Sequence, residues 1–244
     1  TSPCIGLAAI HIARHNPQAV MAVLPSDHHI GDTDGYGAVF SAAVKYAQAG
    51  EIVTLGITPS RPETGYGYIE FDEKEYTAPT SGNASGHTVK RFVEKPDKET
   101  AEGYLDSKCF LWNSGMFFFT AQTILAAIDR HLPDIATGLR TISDAIGRPD
   151  YPEVLEEAFG AMKSISIDYG IMEPVSLPTD ATHLRVIPSD IGWNDVGHWG
   201  ALDEYADKDA DANVIIGDAV TVDTTRSIIH ASTSTIAVIG MDNV

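Results

Sequence analysis

Apolar positions in this chain arrive in short bursts, and the spacing within each burst marks out its elements. Residues 5–13 (IGLAAIHIA) predict a helix, with Ser or Thr as its cap and a proline early in its first turn. Pro17 ends it, and the compact run 20–24 predicts a buried parallel strand that delivers Pro25-Ser26-Asp27-His28-His29 at its C-terminal end. A helix over 37–49, stopped by Gly50, and a strand over 52–57 continue the alternation. Helix, strand, helix, strand with short connections predicts βαβ units with right-handed crossovers, hence an α/β fold on a mixed, mostly parallel sheet.

Farther along, 59–67 is rich in turn residues, and 68–71 and 87–94 read as strands. They flank a polar Gly- and Ser-containing loop at 79–86, expected as a hairpin-like excursion with a mobile tip. A short helix over 100–107 precedes the aromatic-dense stretch 110–119, which leads into a helix over 121–131. Residues 135–159 are helix-rich with a break near Gly147 and Pro149, 166–173 reads as a cap and short helix, and 184–188 as a strand. Beyond Asp211 the texture turns to short β-prone pieces at 220–223, 227–230 and 236–239. The expected division is an α/β domain over 1–212 and a small β region over 213–244.

Composition alters this picture mainly through charge. The chain has 244 residues, 34 of them acidic against 16 Lys plus Arg, a formal net charge of -18. Such a surface argues against non-specific binding to nucleic acid or anionic membrane. It also repels phosphorylated ligands at long range, so a phosphate site needs local cations, helix N-termini or a metal ion. Two cysteines, Cys4 and Cys109, do not make a disulfide framework, and the expected compartment is a reducing cytoplasm. The longest apolar runs are far too short to span a bilayer.

Some positions carry chemistry. Asp27 in LPSDHHI and Asp195 in WNDVGHW each border a rigid apolar or aromatic segment. Brought together, they would make a hard, oxygen-rich site for a divalent ion. Glu94-Lys95-Pro96 offers a hydrogen-bonding carboxylate beside a point charge, or simply a surface pair before a turn. Gly65 and Gly67 in Thr64-Gly65-Tyr66-Gly67-Tyr68 let a backbone approach a ligand closely, or merely shape a turn. His11 and His15, four apart on a helix, lack a third ligand and read as structural or solvent-facing. No GxxxxGK[ST], intact GxGxxG, GxSxG, HExxH or CxxC occurs.

LPSDHHI, TPSRPETGYGYIEF, VKRFVEKPD, FLWNSGMFFF, SISIDYGIMEP and WNDVGHW occur in an order that resembles bacterial mannose-1-phosphate guanylyltransferases, of the sugar-phosphate nucleotidyltransferase superfamily. The resemblance spans nearly the whole chain. It implies a Rossmann-like sheet flanked by helices, of the nucleotide-diphospho-sugar transferase type. It implies Asp27 and Asp195 as Mg²⁺ ligands, and Gly65, Tyr66, Gly67, Glu94, Asn113 and Asp168 around the sugar phosphate, with Lys95 meeting the phosphate. Asp27, Lys95 and Asp195 would then carry the catalysis, while Asn194 and His198 stand where small hydroxyl residues are more usual.

The implied reaction joins GTP and mannose 1-phosphate to give GDP-mannose and pyrophosphate, in a protein that allows a homo-oligomer. The family's Gly-rich triphosphate loop does not occur in these residues, so a segment preceding Thr1 is expected. Two alternatives stand beside this reading: a non-catalytic sugar-phosphate-binding or regulatory protein, and a nucleotidyltransferase for another nucleotide or hexose 1-phosphate.

Overall fold

The computed structural model describes residues 1–72, 84–197, 199–201 and 206–244. His198 and residues 79–83 of the expected excursion lie outside these. The helices are α1 (Ser2–Ala13), α2 (Thr33–Gln48), α3 (Lys98–Ser107), α4 (Ala121–His131), α5 (Pro133–Ala145), α6 (Tyr151–Gly160) and α7 (Glu173–Val175). The strands are β1 (Val20–Val23), β2 (His29–Ile30), β3 (Ile52–Ile57), β4 (Tyr68–Phe71), β5 (His87–Val93), β6 (Phe110–Thr120), β7 (Leu184–Ser189), β8 (Trp193–Asn194), β9 (Val214–Val222) and β10 (Ile228–Ile239). Thr1 stands at the N-cap position of α1, its hydroxyl accepting the Ile167 N–H rather than capping the helix, and Pro3 lies in the first turn, where a missing N–H costs nothing. His11 Nε2 meets the Tyr151 hydroxyl at 2.8 Å, which gives that histidine a structural partner.

These elements form two compact units, one of Thr1–Pro25 and Thr33–Asp190, the other of Ser26–Asp32 and Ile191–Val244. Ser26–Asp32 belongs to the second unit because β2, early in the sequence, pairs with β8.

In the first unit the sheet order is β1-β6-β3-β7-β5-β4, and β4 also pairs with β6, so the sheet closes on itself as a barrel. Only β3–β7 is parallel; β1–β6, β3–β6, β4–β5, β4–β6 and β5–β7 are antiparallel. The expected mostly parallel, Rossmann-like sheet is therefore corrected to a mixed, mostly antiparallel one. The reason is visible in the crossover through α2. Strands β1 and β3 do run in the same direction, but β6 lies between them and antiparallel to both. A helical connection fixes the relative direction of two strands, not their adjacency.

The aromatic stretch is that central strand. Every β6 residue but Gly115 is buried, which is why its sequence shows no alternation. Phe117, Phe118 and Phe119 each contribute about 1.5–3 kcal/mol by leaving water. In contrast, β1 buries only Met21, because it sits at the sheet's edge.

In the second unit β2 and β8 form a two-residue antiparallel ladder. The short pieces expected at the C-terminus merge into β9 and β10, paired in parallel with Ile228 opposite Val214 and Ile236 opposite Ala219. A straight strand of this length spans about 30 Å. Residues 223–227 cannot retrace that distance, so the two strands follow a bent path, one turn stacked on the next.

Candidate functional site

Strand register gathers Gly67, Glu94 and Asn113 in the first unit. Tyr68 of β4 faces Val93 of β5 on one side and Trp112 of β6 on the other. In antiparallel pairs the residue before Tyr68 therefore meets Glu94 and Asn113. The Asn113 N–H donates to the Gly67 carbonyl at 2.8 Å. A Cβ on residue 67 would lie 2.6 Å from Glu94 Oε2, so only glycine leaves the carboxylate where it is.

A bulge aims Asn113. The pairing of β3 with β6 shifts between Thr54–Phe117 and Gly56–Asn113, and Gly115 within the bulge takes φ of 72°. Asn113 Oδ1 accepts from Thr54 Oγ1 at 3.0 Å and from the Gly115 N–H at 3.1 Å. Its amide nitrogen is thereby turned toward Asp168 Oδ1, at 3.1 Å.

Asp168 opens a single π-turn, Asp168–Met172. Such turns recur at functional sites because they widen a helix locally. Burial raises the Asp168 pKa, against hydrogen bonds from its own backbone, Asn113 and Ser166 and the charge of Lys95. Burial, then the charge of Asp168, push Glu94 up to about 7; Lys95 opposes the rise and Glu173 adds to it. Glu94 Oε2 is buried and has no hydrogen-bond partner among the described residues. A carboxyl group poised near neutrality can accept a hydrogen bond or donate one, which suits a ligand rich in hydroxyls. Lys95 itself is exposed, at φ of 47°.

Not every expected residue joins this patch. Gly65 is exposed and gives its N–H to Glu63 Oε1 at 3.0 Å. Tyr66 packs edge-on to Trp112, with ring centroids 5.2 Å apart. Reading the sequence also passed over neighbours of the patch. Thr54 is hidden in an apolar strand, and Glu173 stands five residues after Asp168 in a motif read only for its aspartate. Arg61, within the turn-rich segment, pairs with Glu63 at 3.2 Å and lies 5.4 Å above the Trp112 ring.

The second unit holds the two aspartates. His29 of β2 faces Asn194 of β8, so Asp27 and Asp195 leave the same end of that ladder. Both charges act on His28, raising its pKa against the larger, lowering effect of burial. Trp193 Nε1 donates to His28 Nδ1 at 3.1 Å, which requires that nitrogen to be unprotonated. The Gly31 and Asp32 N–H groups tie the two segments through the Ile191 carbonyl, each at 3.0 Å. Asn194, itself buried, accepts the Val196 N–H at 2.7 Å and holds Val196 at φ of 51°, an unusual conformation for a β-branched residue. Among the described residues no group of three or more His, Cys, Asp or Glu side chains is placed to hold a metal ion. Two carboxylates are nonetheless hard donors of the kind Mg²⁺ takes, with phosphate oxygens and water as its remaining ligands.

A mixed sheet closed into a barrel, with a polar patch at its strand ends, accords with what comparison finds. The chain matches the nucleotidyl transferase family over residues 1–212 and belongs to that family. Membership implies a divalent-metal-dependent mechanism. Among individual proteins, the chain is 39% identical over 245 residues to mannose-1-phosphate guanylyltransferase of Escherichia coli K12, covering 99% of this chain and 49% of that one. It is likewise 39% identical over 246 residues to the xanthan biosynthesis protein XanB of Xanthomonas campestris strain B100, covering 100% of this chain and 49% of the other. A crystal structure from Thermus thermophilus, described as a mannose-1-phosphate geranyltransferase, superposes with a TM-score of 0.82 at 32% identity. That match covers 99% of this chain and 66% of the other. The chain thus spans about half the length of the curated relatives it matches. Among the described residues no helix is long and apolar enough to cross a membrane.

Proposed function

We propose that the protein transfers GMP from GTP to mannose 1-phosphate, giving GDP-mannose and pyrophosphate. The observation that carries this is the patch of Gly67, Glu94, Asn113 and Asp168, with its buried, unpartnered carboxylate oxygen beside a glycine. It is a cradle for a polyol, in a chain similar along its whole length to mannose-1-phosphate guanylyltransferases. An oxygen of the sugar phosphate attacks the α-phosphorus of GTP, the bond from that phosphorus to the bridging oxygen breaks, and pyrophosphate leaves. Glu94 and Asn113 orient the sugar through its hydroxyls, and Lys95 neutralises its phosphate. Gly65 and Tyr66 shape the loop beside it. Asp27 and Asp195 would hold Mg²⁺, which supplies charge neutralisation at the phosphates when bound.

The test is pyrophosphate release by the intact protein with Mg²⁺ and mannose 1-phosphate or glucose 1-phosphate, against GTP, ATP, UTP and dTTP. Turnover confined to GTP and mannose 1-phosphate is expected. Preference for another pair would reassign the substrates within the same family, and no turnover with any pair would sink the reading.

A further inference from the structure

Glu173 has no assigned part in the chemistry above, yet it touches the backbone of its key residue. The N–H groups of Phe92 and Glu94, two residues apart, point to the same edge of β5 and its end. Pairing of β5 with β7 covers His87 and Thr88, and among the described residues no strand closes the rest of this edge. Two side chains close it instead. Ser176 Oγ accepts the Phe92 N–H at 3.1 Å, and Glu173 Oε1 accepts the Glu94 N–H at 3.1 Å. Ser176 in turn donates its hydroxyl to the Glu173 carbonyl at 2.7 Å, which joins the two acceptors into one clamp.

The π-turn explains how Glu173 gets there. The Glu173 N–H bonds back to the Asp168 carbonyl, five residues earlier. In an α-helix residues five apart lie about 140° apart around the axis. The wider π-turn brings them toward one side, so Asp168 meets Asn113 of β6 while Glu173 meets the end of β5. What Glu173 holds is an unfavourable turn: the next residue, Lys95, has φ of 47° and is followed by Pro96, a combination that extended backbone would avoid.

We propose that Glu173 is a positioning residue for sugar-phosphate recognition: its carboxylate fixes the Glu94–Lys95 turn, and so aims Glu94 at the Gly67 gap and Lys95 at the phosphate. The proposal rests on the function argued above and adds a residue to it. The essential feature is the acceptor oxygen at the Glu94 N–H, which Glu173→Gln retains and Glu173→Ala removes.

Two measurements on both variants of the intact protein separate the outcomes. In steady-state kinetics Glu173→Ala should raise the KM for mannose 1-phosphate about tenfold and leave that for GTP within about twofold, while Glu173→Gln stays near wild type. In hydrogen exchange of the ligand-free protein the Glu94 amide should lose protection in the Ala variant and keep it in the Gln variant. Unchanged exchange at Glu94 in Glu173→Ala overturns the proposal, as does an equal loss in both variants, which would make charge rather than the bond responsible. If circular dichroism shows the Ala variant unfolded, Glu173→Asp, one methylene shorter, is held to the same criteria. Were wild type inactive with mannose 1-phosphate, the functional reading would fail, while the exchange data would still decide whether Glu173 holds the turn.

Discussion

Glu94 follows a seven-residue strand whose end is paired with β4 and clamped by Glu173, whereas Asp195 follows a two-residue strand paired with another two-residue strand. The first residue is placed by sheet register, and its neighbours Gly67 and Asn113 come with it automatically. The second is placed by local bonds: the Gly31 and Asp32 N–H groups to Ile191, and the Asn194 side chain to the Val196 N–H. Register yields a half-buried carboxylate, one of its oxygens fully enclosed, with a raised pKa. Turn geometry yields two more accessible carboxylates, Asp27 exposed and Asp195 half-buried, that solvated phosphates and an ion can approach. The proposed roles suit the construction, since hydrogen bonds to a sugar gain from a sheltered place and a cation takes hard oxygens open to water.

The sharpest break would come at the turn-built group. Asp195→Asn keeps the shape and removes the charge, and kcat is expected to fall by about 10²–10³. Mn²⁺ titration of the same variant should show weakened binding. Full activity with undiminished metal affinity would take Asp195 out of the metal's coordination and leave its part in the WNDVGHW turn as purely structural.

At the register-built group the telling change is Gly67→Ala. The new methyl would displace Glu94 Oε2, the mobile end of a side chain, rather than backbone. The KM for mannose 1-phosphate should therefore rise about tenfold, a cost near 1.4 kcal/mol in binding, with little change in melting temperature. A large loss of stability with unaltered KM would mean that this glycine serves the fold and not the ligand.

Much of the fold is legible in the sequence. The apolar runs at 52–57, 68–71 and 121–131 matched β3, β4 and α4 to the residue, because each is bounded by strong turn or cap residues such as Gly50 and Thr120. Strand direction was not legible. The helix between β1 and β3 suggests a parallel neighbour, and nothing local reveals that β6, about sixty residues later, inserts between them. Gly67, Glu94, Asn113 and Asp168, named from the sequence motifs, do lie together in the fold, but the π-turn that aims Asp168 and Glu173 was not legible, since π- and α-turns share their sequence preferences. Thr54 was unreadable for another reason: a lone hydroxyl in Ile-Val-Thr-Leu-Gly-Ile looks like an ordinary β-branched strand residue.

The smallest expected effect centres on the Glu94 carboxylate and needs no substrate. Glu94 has a pKa of about 7 in the folded protein against 4.5 as its ordinary value. Below the ordinary value the group is protonated in both states and contributes no pH dependence. Between the two values the native state keeps a proton that the unfolded chain has released, so stability falls as pH rises, and above about 7 the loss is complete. The charged groups facing it are Asp168, Lys95 and Glu173. Asp168, also raised, contributes a fall of the same sign, so the absolute curve cannot isolate Glu94. The difference between Glu94→Gln and wild type reports Glu94 together with its coupling to Asp168, because only contributions that do not depend on residue 94 cancel. The melting-temperature gain of the variant should grow by about 2–4 °C from pH 4.5 to pH 7 and then level off. A difference that stays flat across this window would mean that Glu94 is solvated like an ordinary carboxylate, and the contrast between a sheltered register-built group and an accessible turn-built pair would collapse.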